Sequence, residues 1–161
     1  MQNPSFISLG RLLHARRHCS MIAEAPRAVV LVVDDQECLR LRLSDELGRS
    51  GHTVLTASSA SAAERFIEGL GLPMVVVLDL DMRPTSGLRL LQALLSRADA
   101  DNLRFVLISA LSLVDQVAPG RRSVFARLLT PIDLTALSAT VRAAGAQFSG
   151  ASNGWPWKEA R

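Results

Sequence analysis

Several carboxylates of this chain stand where strongly apolar segments end. Asp34 and Asp35 follow the apolar run 28–33, and Asp79 follows a second run, 74–78. Carboxylates that converge repel one another unless a cation holds them, and Mg²⁺ does so with a few carboxylates, a main-chain carbonyl and waters. A carboxylate beside such a cation can attack a phosphoryl group and form an acyl phosphate. The residue types therefore predict a metal-assisted phosphoryl site.

Two hydroxyl side chains follow later apolar segments in the same way. Ser109 comes after the segment 104–108, and Thr130 comes after the segment 124–129. A serine hydroxyl can donate a hydrogen bond to a phosphoryl oxygen. Because ligands of open parallel sheets bind at the carboxyl ends of the strands, we expect both residues to lie near the carboxylates.

The elements that would position these residues alternate between strands and helices. Unbroken β-branched runs are typical of strands covered on both faces, and apolar residues three or four positions apart are typical of helices packed on a sheet. Five strands alternating with five helices predict an α/β fold with a doubly wound parallel sheet and right-handed crossovers. We predict strands over 28–33, 52–57, 74–78, 104–108 and 124–129, and helices over 36–49, 58–69, 88–97, 112–118 and 132–144.

Length and charge limit the classes of protein to which the chain could belong. Its 161 residues suit one domain, and 48% hydrophobic residues with 20% charged residues exclude wholesale disorder. Residues 28–145 hold twelve basic and thirteen acidic side chains, so the net charge of +3 comes from the segments 1–27 and 146–161. A nearly neutral body argues against direct nucleic-acid binding. We expect a flexible basic N-terminal extension, one domain over 28–145 and a C-terminal tail, without a membrane span.

Four short motifs resemble those of the receiver domain of two-component response regulators. They are Val-Val-Asp34-Asp35; Leu78-Asp79-Leu80-Asp81-Met82 followed by Gly87; Ile108-Ser109-Ala110; and Leu129-Thr130-Pro131. The resemblance covers about residues 28–144. It implies a flavodoxin-like (βα)5 fold with strand order 2-1-3-4-5. It also implies a regulatory domain that is not an enzyme for other molecules and that catalyses only its own phosphorylation and dephosphorylation.

The same resemblance implies roles for individual residues. Asp79 would accept a phosphoryl group from a histidine kinase or a histidine phosphotransfer protein. Asp34, Asp35 and Asp79, together with the main-chain carbonyl of Asp81, would bind Mg²⁺ directly or through water, and Ser109 would contact the phosphoryl group. The chain would then be a cytoplasmic, single-domain response regulator of a phosphorelay that signals through contacts with a downstream protein target.

One departure from the receiver pattern concerns the positive partner of the phosphoryl group. Thr130 stands where the family has a lysine, and Lys158 is the only lysine of the chain. Guanidinium and ammonium groups differ in geometry and hydration, so an arginine in this role implies weaker phosphoryl stabilisation or altered coupling. The arginines that could supply the charge are Arg83, Arg121, Arg122 and Arg127.

Further departures concern signal transmission. Arg127 stands where the family has a switch aromatic residue, and Pro84 is displaced by one position from its usual place. The pair Pro119-Gly120 shortens the helix that precedes it, which belongs to the face through which receivers usually signal. These changes leave the predicted carboxylate site intact.

The sequence leaves two other functions open. One is an atypical receiver that acts as a phosphorylation-independent interaction module. The other is a haloacid-dehalogenase-type phosphatase, because an apolar strand that ends in Asp79-Leu-Asp81 also resembles the start of those enzymes. Asp79 would then be the nucleophile and Asp81 the acid and base. Such phosphatases need a later lysine or arginine and an acidic pair downstream, whereas the acidic pair of this chain lies upstream.

Overall fold

A computed structural model of the chain describes residues 28–83, 86–110 and 122–149. In this part of the chain five parallel strands form one sheet, in the order β2-β1-β3-β4-β5. The predicted doubly wound α/β fold and its strand order are therefore confirmed. The strands are β1 (Val29–Val33), β2 (Thr53–Ala57), β3 (Met74–Asp79), β4 (Leu103–Ser109) and β5 (Val124–Leu129).

Four helices lie among the described residues. They are α1 (Glu37–Arg49), α2 (Ala60–Leu70), α3 (Gly87–Leu95) and α4 (Leu134–Ser149), and a short 3-10 helix, Ala100–Asn102, precedes β4. The helix predicted over 112–118 lies outside the described residues, as do the basic extension 1–27, Pro84 and the pair Pro119-Gly120.

Position in the sheet explains why the strand sequences differ. β1 and β3 lie in the interior of the sheet, and every residue of both strands is buried. β2 and β5 are the edge strands, and most of their residues are only partly buried. Each fully buried Val or Leu side chain contributes about 1.5–3 kcal/mol of transfer free energy. The two longest apolar runs of the sequence therefore place Asp34 and Asp79 at the ends of the most deeply buried strands.

Side-chain oxygens accept hydrogen bonds from main-chain amides in the first turns of α2 and α3, where no helical carbonyl is available. The Oγ atom of Ser59 accepts a hydrogen bond from the amide of Ala62 (3.3 Å), and Oγ of Ser86 accepts one from the amide of Leu88 (3.2 Å). Such N-caps stabilise a helix by about 1 kcal/mol. The cap at Ser86 fixes the start of α3 close to the end of β3.

The last helix is longer than the sequence predicts. The predicted end falls before Gly145, but α4 continues to Ser149 and buries Phe148. A Cβ atom at Gly145 would lie 2.8 Å from Cβ of Ala28, which is closer than side-chain atoms normally approach. Glycine at this position allows the helix to pack against the start of β1, so it marks a close contact and not the end of the helix.

Candidate functional site

Three carboxylates meet at the carboxyl ends of β1 and β3. These strands are neighbours in the sheet, with Val33 paired to Leu78, so the residues that follow them come together. Carboxylate oxygens of Asp34, Asp35 and Asp79 all lie within 4.8 Å of one another. Asp34 is 1% exposed and Asp79 is 4% exposed. The structure thus brings together the carboxylates that the sequence singles out.

Main-chain amides hold the two buried carboxylates. The amide of Gln36 donates to Oδ1 of Asp34 (2.7 Å), and the amide of Asp81 donates to Oδ1 of Asp79 (2.9 Å). In contrast, Oδ2 of Asp34 is buried and has no hydrogen-bond partner. A buried acceptor without a partner is costly, and for a charged group the cost is larger. This oxygen is therefore available to a cation at little further desolvation cost.

Burial and mutual repulsion alter the protonation of the cluster. The pKa of Asp79 is raised to about 6, mainly by burial and in smaller part by the neighbouring charges of Asp34, Asp81 and Asp35. The hydrogen bond from the Asp81 amide acts in the opposite direction. Burial likewise raises the pKa of Asp34. Ionisation of these carboxylates is therefore unfavourable in the absence of a counter-charge, and a bound cation would supply that charge.

The donor set fits a hard divalent cation. Mg²⁺ is bound in proteins by one or two carboxylates together with waters and phosphate oxygens. Asp34, Asp35 and Asp79 offer three such oxygens within reach of one another, including the unpartnered Oδ2 of Asp34. The carboxylate of Asp81 does not belong to this cluster of the described residues, because it is directed to the end of β4.

Ser109 lies at the end of β4 and is fully buried. Its hydroxyl oxygen lies 3.3 Å from Oδ2 of Asp81 and 3.0 Å from the carbonyl oxygen of Ala110, and it can donate to either. The amide of Ala110 also donates to Oδ2 of Asp81, at 3.1 Å. This contact of the Asp81 side chain with the end of β4 is not among the predicted roles of Asp81, and the sequence carries no signal for it.

Thr130 follows β5, next to Ser109. The amide of Thr130 donates to the main-chain oxygen of Ser109 (3.3 Å), which extends the pairing of β5 with β4. The threonine is exposed and its hydroxyl carries no charge. The position that the resemblance gives to a lysine therefore lies beside the end of β4, but it contributes no positive charge there.

Among the described residues, an arginine whose side chain contacts the site, Arg40, is not one of the four predicted candidates, of which Arg121 lies outside the described residues. Nη1 of Arg40 donates to the main-chain oxygen of Asp34 (2.8 Å), and its charge lowers the pKa of that carboxyl group, against the larger effect of burial. Arg40 lies in the first turns of α1, which places it over the end of β1. Arg83 meets the cluster through its amide, which donates to Oδ2 of Asp35 (2.9 Å). Arg127 lies within β5, paired with Leu107.

Gly87 lies against the main chain of β3. A Cβ atom at this position would overlap with the main-chain oxygen of Asp79 and would lie 2.8 Å from Cα of Leu80. The glycine of the second motif is therefore required by a close approach between the start of α3 and the end of β3. The close approach places the start of α3 against the main chain that directly precedes Asp81.

Comparison with known families agrees with this arrangement. The family model for the response regulator receiver domain matches residues 30–141. The chain belongs to this family. It is thus a receiver domain of two-component signalling, as the four motifs predict. Membership in this family decides against the haloacid-dehalogenase-type alternative.

Solved structures show the same fold. A response regulator receiver protein from Pseudomonas putida is 30% identical, with a TM-score of 0.63, and the match covers 74% of this chain and 99% of that one. A response regulator receiver domain protein from Clostridium thermocellum is 22% identical, with a TM-score of 0.67, and the match covers 76% of this chain and 97% of that one. Both comparisons cover nearly all of the other receiver.

A curated relative is considerably longer than this chain. The DNA-binding transcriptional regulator NtrC of Azospirillum brasilense is 31% identical over 118 residues, which are 73% of this chain and 24% of that protein. The chain therefore spans about a quarter of the length of that relative. Among the described residues, no helix has the length and apolar character that crossing a membrane requires.

Proposed function

We propose that this receiver domain accepts a phosphoryl group on Asp79 from a histidine kinase or a histidine phosphotransfer protein. The observation that carries the proposal is the position of Asp79, which lies buried at the end of β3 with Asp34 and Asp35 within 4.8 Å. Mg²⁺ would be held by these carboxylates and by the main-chain carbonyl of Asp81. The bound ion would offset the charge of the phosphoryl oxygens during transfer.

The residues of the chain have distinct tasks in this transfer. A carboxylate oxygen of Asp79 forms a bond to phosphorus while the P–N bond of the donor phosphohistidine breaks. Attack requires the ionised carboxylate, and a pKa of about 6 leaves most of the Asp79 side chains ionised at pH 7 and above. The hydroxyl of Ser109 and the amide of Ala110, at the end of β4, would donate hydrogen bonds to phosphoryl oxygens.

The proposed phosphoryl site has less positive charge than a receiver with the usual lysine, because Thr130 stands at the position of that lysine. Thr130 offers only a neutral hydroxyl, whereas the guanidinium of Arg40 is anchored on the main-chain oxygen of Asp34. We infer that the phosphoryl group on Asp79 is stabilised less strongly than a lysine would allow, with Arg40 supplying part of the missing charge.

The wider role follows from the same proposal. We propose that the chain works in the cytoplasm as a response regulator whose receiver begins at residue 28 and ends with α4. It would pass its signal to a downstream protein by direct contact, without binding nucleic acid. A phosphorylation-independent interaction module is the second candidate, favoured by the neutral Thr130 beside Ser109.

Phosphoryl uptake by the purified protein tests the main proposal. Incubation with acetyl phosphate and Mg²⁺ should add one phosphoryl group to the intact mass, and Asp79→Asn should abolish the addition because the attacking oxygen is replaced. Asp101→Asn is the matched control, since Asp101 is exposed and precedes β4 at the amino end of the sheet. No uptake by the unaltered protein, from acetyl phosphate or from a cognate kinase, would support the interaction module instead.

Loss of one buried carboxylate should weaken metal binding. Asp34→Asn keeps an oxygen that accepts from the Gln36 amide. It removes the negative charge of the carboxylate, to which the unpartnered Oδ2 atom belongs. We expect the dissociation constant for Mg²⁺, measured by NMR titration, to rise about tenfold or more because affinity depends on the number of ligand charges. Asp101→Asn should leave the constant unchanged, and equal constants in all three proteins would contradict the assignment of Asp34 as a ligand.

A further inference from the structure

We propose that the carboxylate of Asp81 occupies the hydrogen-bond donors that a phosphoryl group on Asp79 needs, and that it leaves them during phosphoryl transfer. Asp81 would then be a positioning residue that slows phosphoryl uptake. The inference rests on the proposed function, because it assigns an incoming phosphoryl group to the same donors.

The contact is defined by two donors from one strand end. Oδ2 of Asp81 accepts from the amide of Ala110 at 3.1 Å and lies 3.3 Å from the hydroxyl oxygen of Ser109. Both donors belong to the end of β4, whereas Asp81 follows β3. A single carboxylate oxygen therefore accepts from the N–H of Ala110 and lies within hydrogen-bond distance of the Ser109 hydroxyl, which can also donate to the carbonyl oxygen of Ala110.

The backbone holds Asp81 at this place. Asp79 pairs with Ile108, and the amide of Leu80 donates to the main-chain oxygen of Ile108 (2.9 Å), so the pairing of β3 with β4 continues past the end of β3. Asp81 is the next residue, and its own amide is bonded to Oδ1 of Asp79. The Asp81 side chain therefore crosses to β4 from a fixed position directly beside the proposed phosphoryl acceptor.

The Asp81 carboxylate and a phosphoryl group on Asp79 cannot both use the donors of Ser109 and Ala110. A carboxylate and a phosphoryl group are both anions that accept hydrogen bonds from the same N–H and O–H donors. Two anions within hydrogen-bond distance of the same donors would also repel each other. Transfer to Asp79 therefore requires that the Asp81 side chain turn away from Ser109 and Ala110.

Removal of the Asp81 side chain tests this competition. Asp81→Ala keeps the main-chain carbonyl that is proposed to bind Mg²⁺ and frees both donors. At saturating Mg²⁺ the initial rate of phosphoryl uptake from acetyl phosphate should rise about tenfold, the effect of one hydrogen bond to a charged group. Asp81→Asn should give a smaller gain, since its amide oxygen can still accept from Ala110.

A second substitution separates competition for donors from a general effect of charge. In a Ser109→Ala background the gain from Asp81→Ala should shrink, because one of the contested donors is then absent. The amide resonance of Ala110 should also move in Asp81→Ala without phosphodonor or metal, as its hydrogen bond is lost. An unshifted Ala110 resonance would overturn the contact itself.

The remaining outcomes distinguish this inference from the proposed function. If the unaltered protein takes up phosphate and Asp81→Ala does so at the same rate, the inference fails and the proposed function stands. Equal gains in Asp81→Ala and Asp81→Asn that persist without Ser109 would show repulsion by charge alone, which also overturns it. If no protein takes up phosphate from acetyl phosphate or a histidine kinase, the proposed function fails and the inference falls with it.

Discussion

Gly87→Ala should lower the free energy of unfolding by about 3 kcal/mol, since overpacking against atoms that cannot move costs on this scale. The new Cβ atom would overlap with the main-chain oxygen of Asp79. That oxygen belongs to β3, which is hydrogen-bonded to β1 on one side and to β4 on the other, so the main chain cannot yield. Urea unfolding followed by circular dichroism measures the change.

Gly48→Ala is the matched control for this prediction. Gly48 lies in α1, and nothing lies within 4 Å of a Cβ atom built on it. Replacing a helical glycine by alanine should raise the free energy of unfolding by about 0.5–1 kcal/mol. Equal effects of the two substitutions would show that Gly87 is not held against β3 as described.

Asp79→Asn should stabilise the metal-free protein at pH 8 by about 2–3 kcal/mol, from a pKa shift at 1.36 kcal/mol per unit. Burial raises the pKa of Asp79 from 3.8 to about 6. The folded state therefore binds a proton more tightly than the unfolded state, and stability falls as the pH rises from 3.8 through about 6. Asparagine carries no charge, so it removes this loss at high pH.

Urea unfolding at several pH values in the presence of EDTA tests this prediction. The difference between Asp79→Asn and the unaltered protein should be large at pH 8 and should disappear as the pH falls below 3.8, where the folded and unfolded forms both hold the proton. Added Mg²⁺ should stabilise the unaltered protein at pH 8 more than the variant. A difference that is the same at low and high pH would contradict a raised pKa as the cause.

The fold and the acidic cluster follow from regular features of the sequence. Unbroken apolar runs identify β1 and β3, and the carboxyl ends of adjacent parallel strands meet at one edge, so Asp34 and Asp79 have to come together. The meeting of these carboxylates depends on the period of each element and on its place in the sheet, and not on any side-chain conformation.

The missed contacts depend on geometry that spacing does not encode. Arg40 reaches Asp34 because of the direction in which α1 leaves β1, and the contact of Asp81 with Ser109 depends on a side-chain rotamer. The end of α4 is missed for another reason. Glycine disfavours the interior of a helix, but at Gly145 the close approach of Ala28 outweighs that preference.

The contact between Ala28 and Gly145 also has a practical consequence. It joins the start of β1 to the last turns of α4, so both ends of the described fold lie at the amino edge of the sheet. Asp34 lies at the opposite end of β1, about 20 Å away at 3.3 Å per residue. A fluorescent dye or reporter protein joined directly at Ala28 would therefore start at the edge of the sheet opposite Asp34 and Asp79. A sample immobilised through that position would be attached at the edge away from the acidic cluster.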